Sequence, residues 1–318
     1  MRFLSDAEVE RLLPMADCID AVEHAFRLHA FGRSVPPRAF GLSAAGGGLH
    51  AKGAGLELER LYLAVKLNSN FPDNPKLRGL PTIQGVLALF DGTDGRLLAL
   101  MASGALTAIR TGAATAAAAR CLARPDSSVV TIVGCGIQAP WQLRALASVL
   151  QLRTVYAVDI DASRAESFAR TMSAELDCEV TAWRGIAEAL AASDVCVACT
   201  TARAPVILDA HVRPGTFVAA VGADNEHKQE IEPALLGRAT VVPDDLLQAA
   251  AGGELHWAID AGVLRREDVR AELADVVSGR RPGRSSADEI TLFDSTGVAL
   301  EDVAAAAVVF GNAGLDVR

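Results

Sequence analysis

The chain has 318 residues, 51% of them hydrophobic, and carries 30 Lys and Arg against 39 Asp and Glu for a net charge of −9. That length allows two domains, and half-hydrophobic content allows a sizeable buried core. No basic stripe stands out beyond the short clusters Arg265-Arg266 and Arg280-Arg281-Pro282-Gly283-Arg284, which argues against nucleic acid as a partner.

The start, Met1-Arg2-Phe3-Leu4-Ser5-Asp6, turns acidic at once and has no apolar segment of the signal-peptide kind, so a cytoplasmic protein is expected. Ser5-Asp6-Ala7-Glu8 reads as a capping box opening a short helix. A second helix is predicted from about Met15 to Phe31, stopped by Gly32. From Val35 to Met101 the texture changes to short alternating segments, with Gly46-Gly47-Gly48 and Asp91-Gly92-Thr93-Asp94-Gly95 as turns between antiparallel strands.

Ser103 to Arg124 is Ala-rich and helical, and after it the rhythm becomes βαβ. Strands are predicted at Val129–Val133, Val155–Val158, Val180–Trp183, Val195–Thr200, Phe217–Val221 and Thr240–Val242. Helices are predicted at Ile137–Leu150, Asp161–Glu175, Ile186–Ala192 and, at the end, Val298 to Asn312. Such alternation predicts an α/β fold with a parallel sheet covered on both faces. The longest uncharged stretch, Ser127 to Leu143, is interrupted by Gly134, Gly136, Gln138 and Pro140, so no membrane span is expected.

Six cysteines and six histidines show no metal-ligand spacing, so no metal is expected. Cys196-Val197-Ala198-Cys199 has CxxC spacing but lies in an apolar run read as a strand. Positions three apart on a strand point to opposite faces, on the order of 10 Å apart, so no disulfide is expected there.

Val129–Val133 runs straight into Gly134-Cys135-Gly136-Ile137-Gln138-Ala139, a GxGxxA fingerprint in strand–turn–helix context. Gly134 permits the tight turn, Gly136 lets the backbone approach a pyrophosphate, and Ala139 allows close helix–sheet packing. The next strand ends at Asp159, 20 residues after Ala139, where a carboxylate accepts both ribose hydroxyls and repels a 2′-phosphate. The cofactor expected is therefore NAD, with NADP disfavoured and FAD as the alternative dinucleotide.

Lysine is rare, occurring only at Lys52, Lys66, Lys76 and Lys228. Lys66 sits in the otherwise apolar strand Leu61-Tyr62-Leu63-Ala64-Val65-Lys66-Leu67, where it must reach a partner or water. Desolvation would bring its pKa towards neutrality and suit it to proton transfer. Asp224, in Val221-Gly222-Ala223-Asp224-Asn225-Glu226-His227-Lys228-Gln229-Glu230, follows the carboxyl end of a predicted parallel strand, where such sheets place ligands.

In chain order the sequence shows Lys66 with Gly79-Leu80-Pro81-Thr82, then Leu106-Thr107-Ala108-Ile109-Arg110-Thr111-Gly112-Ala113-Ala114, then the fingerprint loop, Val221-Gly222-Ala223-Asp224 with Lys228 and Glu230, and Phe293-Asp294-Ser295-Thr296-Gly297. Over nearly its whole length it resembles the ornithine cyclodeaminase/μ-crystallin family, which includes alanine dehydrogenases, ketimine reductases and arginine dehydrogenases. The resemblance implies a Rossmann-type domain (113–296) inserted into a discontinuous α+β substrate and dimerisation domain (1–112 and 297–318), and a homodimer. It implies Lys66 and Asp224 as the catalytic pair, with Arg38, Lys66 and Arg110 at the substrate. Around the cofactor it implies Thr82, Arg110, Thr111, Gly134, Gly136, Ile137, Gln138, Asp159, Thr200, Val221, Gly222, Lys228 and Ser295.

One departure from the family pattern is Lys52-Gly53-Ala54, where many members have Met-Pro-Ala. Lys52 is read either as a surface residue of a hairpin or as a cation at the substrate, and in the second case it suits a substrate with an extra acidic group and disfavours a cationic side chain. The implied activity is NAD(P)-dependent oxidoreduction at the Cα–N bond of a small amino or imino acid. A cyclodeaminase that releases ammonia, or a nucleotide-dependent small-ligand binding protein, are the alternatives.

Overall fold

A computed structural model of the chain describes residues 3–315. The chain opens with strand β1 (Phe3–Leu4), helices α1 (Asp6–Leu12) and α2 (Met15–Ala30), and strands β2 (Ser34–Ala44), β3 (Gly47–Glu57) and β4 (Leu61–Asn70). Helix α3 (Asn74–Arg78), strands β5 (Ile83–Asp91) and β6 (Leu97–Ala102), and the long helix α4 (Ser103–Leu122) follow. Then come β7 (Val129–Val133), α5 (Gln138–Ala147), β8 (Thr154–Val158), α6 (Ala162–Glu175), β9 (Glu179–Ala182), α7 (Ile186–Ala192) and β10 (Val195–Ala198). The rest holds β11 (Arg203–Ile207), β12 (Phe217–Ala220), β13 (Gln229–Ile231), α8 (Pro233–Arg238) and β14 (Thr240–Pro243). It closes with α9 (Leu246–Gly252), α10 (Glu254–Asp260), α11 (Leu273–Val277), β15 (Thr291–Asp294) and α12 (Ala299–Asn312).

Two units result, one holding the chain up to Arg110 and from Val298 onward, the other Thr111–Gly297. In the first, six strands are ordered β1-β6-β5-β4-β3-β2, antiparallel except for the β1–β6 pair. Pro36 and Pro37 fall on the edge strand β2, where the register shifts between Val35 and Arg38 and their missing N–H groups interrupt no central ladder. Ser5 caps α1 as its sequence predicts, accepting the Glu8 N–H while the Glu8 carboxylate accepts the Ser5 N–H at 3.0 Å.

Alternation gives this sheet two different faces. Ala54 and Leu56 of β3, Tyr62, Ala64 and Lys66 of β4, and Leu87 and Leu89 of β5 share the buried one by register. Helix α12 lies against β3 and β4 and packs on α2, with Phe310 meeting the Tyr62 ring edge-on. The opposite face leaves Phe40, Leu42, Leu49, Val65 and Leu67 exposed.

The second unit is built on a seven-stranded parallel sheet, β14-β15-β12-β10-β7-β8-β9. Its strands β10 and β12 are buried along their whole length, which is why they read as unbroken apolar runs rather than alternating ones. Strand order runs outward from β7 in both directions, so the switch point falls between β7 and β10. The fold is thus a Rossmann-type α/β unit inserted into a discontinuous unit of mixed α and β structure.

Candidate functional site

Register aligns the carboxyl ends of the parallel strands in one row. Val158, Val133, Ala198, Ala220 and Asp294 pair successively across β8, β7, β10, β12 and β15. The residues that leave this row are Asp159, Gly134, Cys199 followed by Thr200, Val221 followed by Gly222, and Ser295. Most of the residues expected around a cofactor in this unit therefore lie along one edge, although they are spread over 162 positions of sequence from Gly134 to Ser295 and are brought together only by strand pairing.

Gly134 has φ +93°, and a Cβ there would come within 2.7 Å of the Thr200 side chain, so the turn admits only glycine. A Cβ on Gly136 would meet nothing within 4 Å, leaving open space where a pyrophosphate would approach. Ile137 precedes α5 with no side-chain cap on the helix, so the first amides of α5 stay available to an anion. The Gln138 Oε1 and Ser295 Oγ atoms are buried without a hydrogen-bond partner among the described residues. Open space at Gly136, an uncapped helix start and two orphaned polar atoms on one edge fit a dinucleotide with phosphate and amide groups.

Asp159 is already engaged. Its Oδ2 accepts the Cys135 N–H and its Oδ1 the Asp161 N–H, both at 2.8 Å. It therefore braces the fingerprint loop as well as standing where a ribose would lie, and the remaining lone pairs are those a ribose would use. Sequence reasoning gave Glu230 no role, yet it ties two cofactor loops together. Its Oε1 accepts the Thr200 N–H (2.6 Å) and its Oε2 the Gly222 N–H (2.7 Å). Burial pushes the Glu230 carboxyl up to about 7, against the pull of those amides and of Lys228.

Asp224 is half exposed on the loop after β12 and accepts from Lys228 Nζ at 2.8 Å and Asn225 Nδ2 at 2.9 Å. Lys228 is held in turn through its carbonyl, which accepts the Trp257 indole N–H at 2.7 Å. Thus Lys228, expected at the cofactor, is seen paired with Asp224.

In the first unit Lys66 is buried and donates to Asp302 Oδ1 at 2.8 Å and to Thr107 Oγ1 at 3.3 Å. Burial brings its ammonium down to about 8, helped by Arg110 and Lys52 and opposed by Asp302. Arg110, also buried, donates from Nε to Asp302 Oδ1 at 3.0 Å and from Nη1 to Glu301 Oε2 at 2.6 Å. Lys66 and Arg110 thus come together through an acidic pair on α12 that sequence reasoning did not single out. A signal was available: Glu301-Asp302 interrupts the apolar run of an Ala-rich helix, and buried carboxylates need cations.

The other expected residues of this unit are placed differently. Lys52 pairs directly with Lys66 in the β3–β4 register and shares its face. Arg38 pairs with Gly53, which pairs with Val65, so it falls on the opposite face, exposed, donating to the Pro37 carbonyl at 3.2 Å. Arg38 is therefore not gathered with Lys66. Thr82 precedes β5, its carbonyl accepting the Phe71 N–H, and Thr111 is buried on α4 beside Arg110.

The fold and these two constellations define a dinucleotide-binding protein of the two-unit α/β kind. The ornithine cyclodeaminase/mu-crystallin family model matches residues 1–315, and the chain belongs to that family. It is 41% identical to an alanine dehydrogenase of Archaeoglobus fulgidus, over 98% of this chain and 94% of that one. An archaeal alanine dehydrogenase dimer with bound NAD superposes with a TM-score of 0.93 at 40% identity, covering 98% and 95% of the two chains. The Thermococcus litoralis Δ1-pyrroline-2-carboxylate reductase, in complex with NADH and L-proline, also gives 0.93, at 34% identity and 98% and 97% coverage.

Proposed function

We propose that this chain is an NAD-dependent oxidoreductase acting at the Cα–N bond of a small amino or imino acid, as an imine reductase or an amino-acid dehydrogenase. Lys66 carries the reading. It is a buried ammonium brought near neutrality, beside a buried arginine, in a chain whose other unit presents the fingerprint loop at a sheet switch point. The similar proteins of known structure, one with NAD and one with NADH and L-proline, support the same class of chemistry.

A bound nicotinamide cofactor would supply the hydride chemistry, with NAD+ as acceptor of the Cα hydride of an amino acid and NADH as donor to an imino acid. Lys66, with its pKa near 8, exchanges a proton with the substrate around neutral pH. Arg110 offers a guanidinium to the substrate carboxylate, which fixes the orientation that hydride transfer requires. Asp224 receives an N–H of the amine, with Lys228 holding its carboxylate in place. Arg38 enters this scheme through the family resemblance alone. In the second unit, Gly134, Gly136, Ile137, Gln138, Asp159, Thr200, Val221, Gly222 and Ser295 would hold the cofactor, joined by Thr82, Arg110, Thr111 and Lys228.

The exposed apolar sheet face supports assembly as a homodimer, the state of the archaeal alanine dehydrogenase named above. None of the six cysteines, all among the described residues, is in a disulfide, which supports a cytoplasmic location. The test of the activity is a screen of amino acids with NAD, and of cyclic imino acids and keto acids plus ammonia or methylamine with NADH, followed by NADH absorbance. Absence of turnover with every class would sink the reading.

A further inference from the structure

We infer that Asp302 is a positioning residue for the proposed reaction, holding the Lys66 ammonium and the Arg110 guanidinium side by side through a single carboxylate oxygen. The inference rests on the oxidoreductase reading for its kinetic consequences and on geometry for its premise.

Both donors converge on Oδ1, Lys66 Nζ at 2.8 Å and Arg110 Nε at 3.0 Å, while Oδ2 is buried with no partner among the described residues. A carboxylate that merely neutralised two cations could share them between its two oxygens. Convergence on one oxygen instead fixes the two nitrogens as neighbours, on the order of 5 Å apart for ordinary hydrogen-bond angles. That spacing lets both cations meet the carboxylate of one small substrate.

A structural explanation competes. Glu301 and Asp302 lie in the first turn of α12, where acids favour the helix dipole. It accounts for Glu301, whose Oε1 accepts the Val298 N–H at 3.3 Å. It leaves Asp302 unexplained, since that side chain turns to Lys66 and Arg110 instead of to the helix amides.

The groups that act on Lys66 come from three elements. Lys52 on β3 and Arg110 on α4 favour loss of its proton, as does burial, whereas Asp302 on α12 favours keeping it. Across the sheet on β5 its paired neighbour is the apolar Leu87, and Thr107 of α4 contributes a neutral hydroxyl. Glu301 bonds to Arg110, which makes it the natural control.

The experiment compares Asp302→Asn, Asp302→Glu and Glu301→Gln with the unmodified protein by pH–rate profile, using the best substrate from the screen. Asp302→Asn is expected to lower kcat at least about tenfold and to move the Lys66 limb of the profile to lower pH. Asp302→Glu should keep the limb in place while lowering kcat, and Glu301→Gln should raise KM without moving the limb. Loss of activity by one factor at every pH in Asp302→Asn would overturn the inference, as would a limb that moves only in Glu301→Gln.

If Asp302→Asn does not fold, Asp302→Glu decides alone: an unchanged kcat or a lost limb overturns the inference. A readout independent of turnover is available because the chain has four lysines. With isotope-labelled lysine, the NMR signal that vanishes in Lys66→Met belongs to Lys66, and its titration must shift to lower pH in Asp302→Asn. A shifted titration in a protein without amino-acid or imino-acid turnover would defeat the oxidoreductase reading and leave the Asp302 geometry standing. An unshifted titration would defeat Asp302 alone.

Discussion

Lys52 of β3 stands directly across from Lys66 of β4 in the antiparallel register, so two ammonium side chains leave the same face of the sheet. Like charges disfavour each other, and Lys52 is one of the groups that brings Lys66 down to about 8, after burial and Arg110. Lys52→Met should therefore raise the Lys66 pKa and move the corresponding limb of the pH–rate profile to higher pH. The same cation should repel a distal ammonium on the substrate. Ornithine supplied with NAD is expected to give little proline and ammonia, while imino-acid reduction with NADH proceeds. Efficient conversion of ornithine to proline, with no imine reduction, would make the chain a cyclodeaminase.

Proton transfer and cofactor binding should separate by mutation. Lys66→Met and Asp224→Asn are each expected to lower turnover by at least about a hundredfold, the scale on which acid–base groups contribute. NADH titrations followed by fluorescence should change little in either variant, because the fingerprint loop and the Glu230 bridge are untouched. Near-normal turnover in one variant would remove that residue from the mechanism.

The sequence carried the second unit further than the first. Strand β7 and helix α7 have the bounds their patterns predict, because a buried apolar run and an unbroken run of Ala, Leu and Glu are local signals. Strand β15 has no local signal of its own, although its Phe293-Asp294 belongs to one of the family motifs. It enters the sheet between β12 and β14, and no local period announces a place fixed by pairing with strands up to 74 residues earlier, such as Phe217 opposite Thr291. The short helices α8 to α11 have too few turns to show a period. In the site, Lys66 was legible as a charge in an apolar strand, but its partner Asp302 lies 236 residues away. Arg38 shows the opposite failure. The motif around it is local, but the register shift at Pro36-Pro37 decides which face it takes.

Cofactor preference should follow Asp159. NADH is expected to bind more tightly than NADPH, since a carboxylate at the ribose repels a 2′-phosphate. Asp159→Ser should narrow that gap. Because Asp159 also accepts the Cys135 and Asp161 amides, the same change should weaken NADH binding by loosening the fingerprint loop. Parallel titrations with the two nucleotides measure both effects. Equal affinities in the unmodified protein would count decisively against the assignment.

The outer face of the first unit's sheet gives the last prediction. Register places Phe40 opposite Ala51 and Ala51 opposite Leu67, and places Leu42 opposite Leu49. Phe40, Leu42, Leu49, Val65 and Leu67 thus form one contiguous patch, with Phe40 63% and Leu42 58% exposed. Beside it β2 is an edge strand, and apart from Pro36, Pro37 and the exposed Arg38 its sequence carries little that would discourage association. An apolar surface of this kind is disfavoured in water unless a second surface covers it, and a second copy of the same face is the symmetric way to do so. The chain should therefore scatter light as a dimer at micromolar concentration. Leu67→Asp, a charge in the middle of the patch, should shift it to monomer while NADH binding, most of whose proposed contacts lie in the other unit, persists. A monomeric unmodified protein would defeat this reading, and a dimer unaffected by Leu67→Asp would place the interface elsewhere.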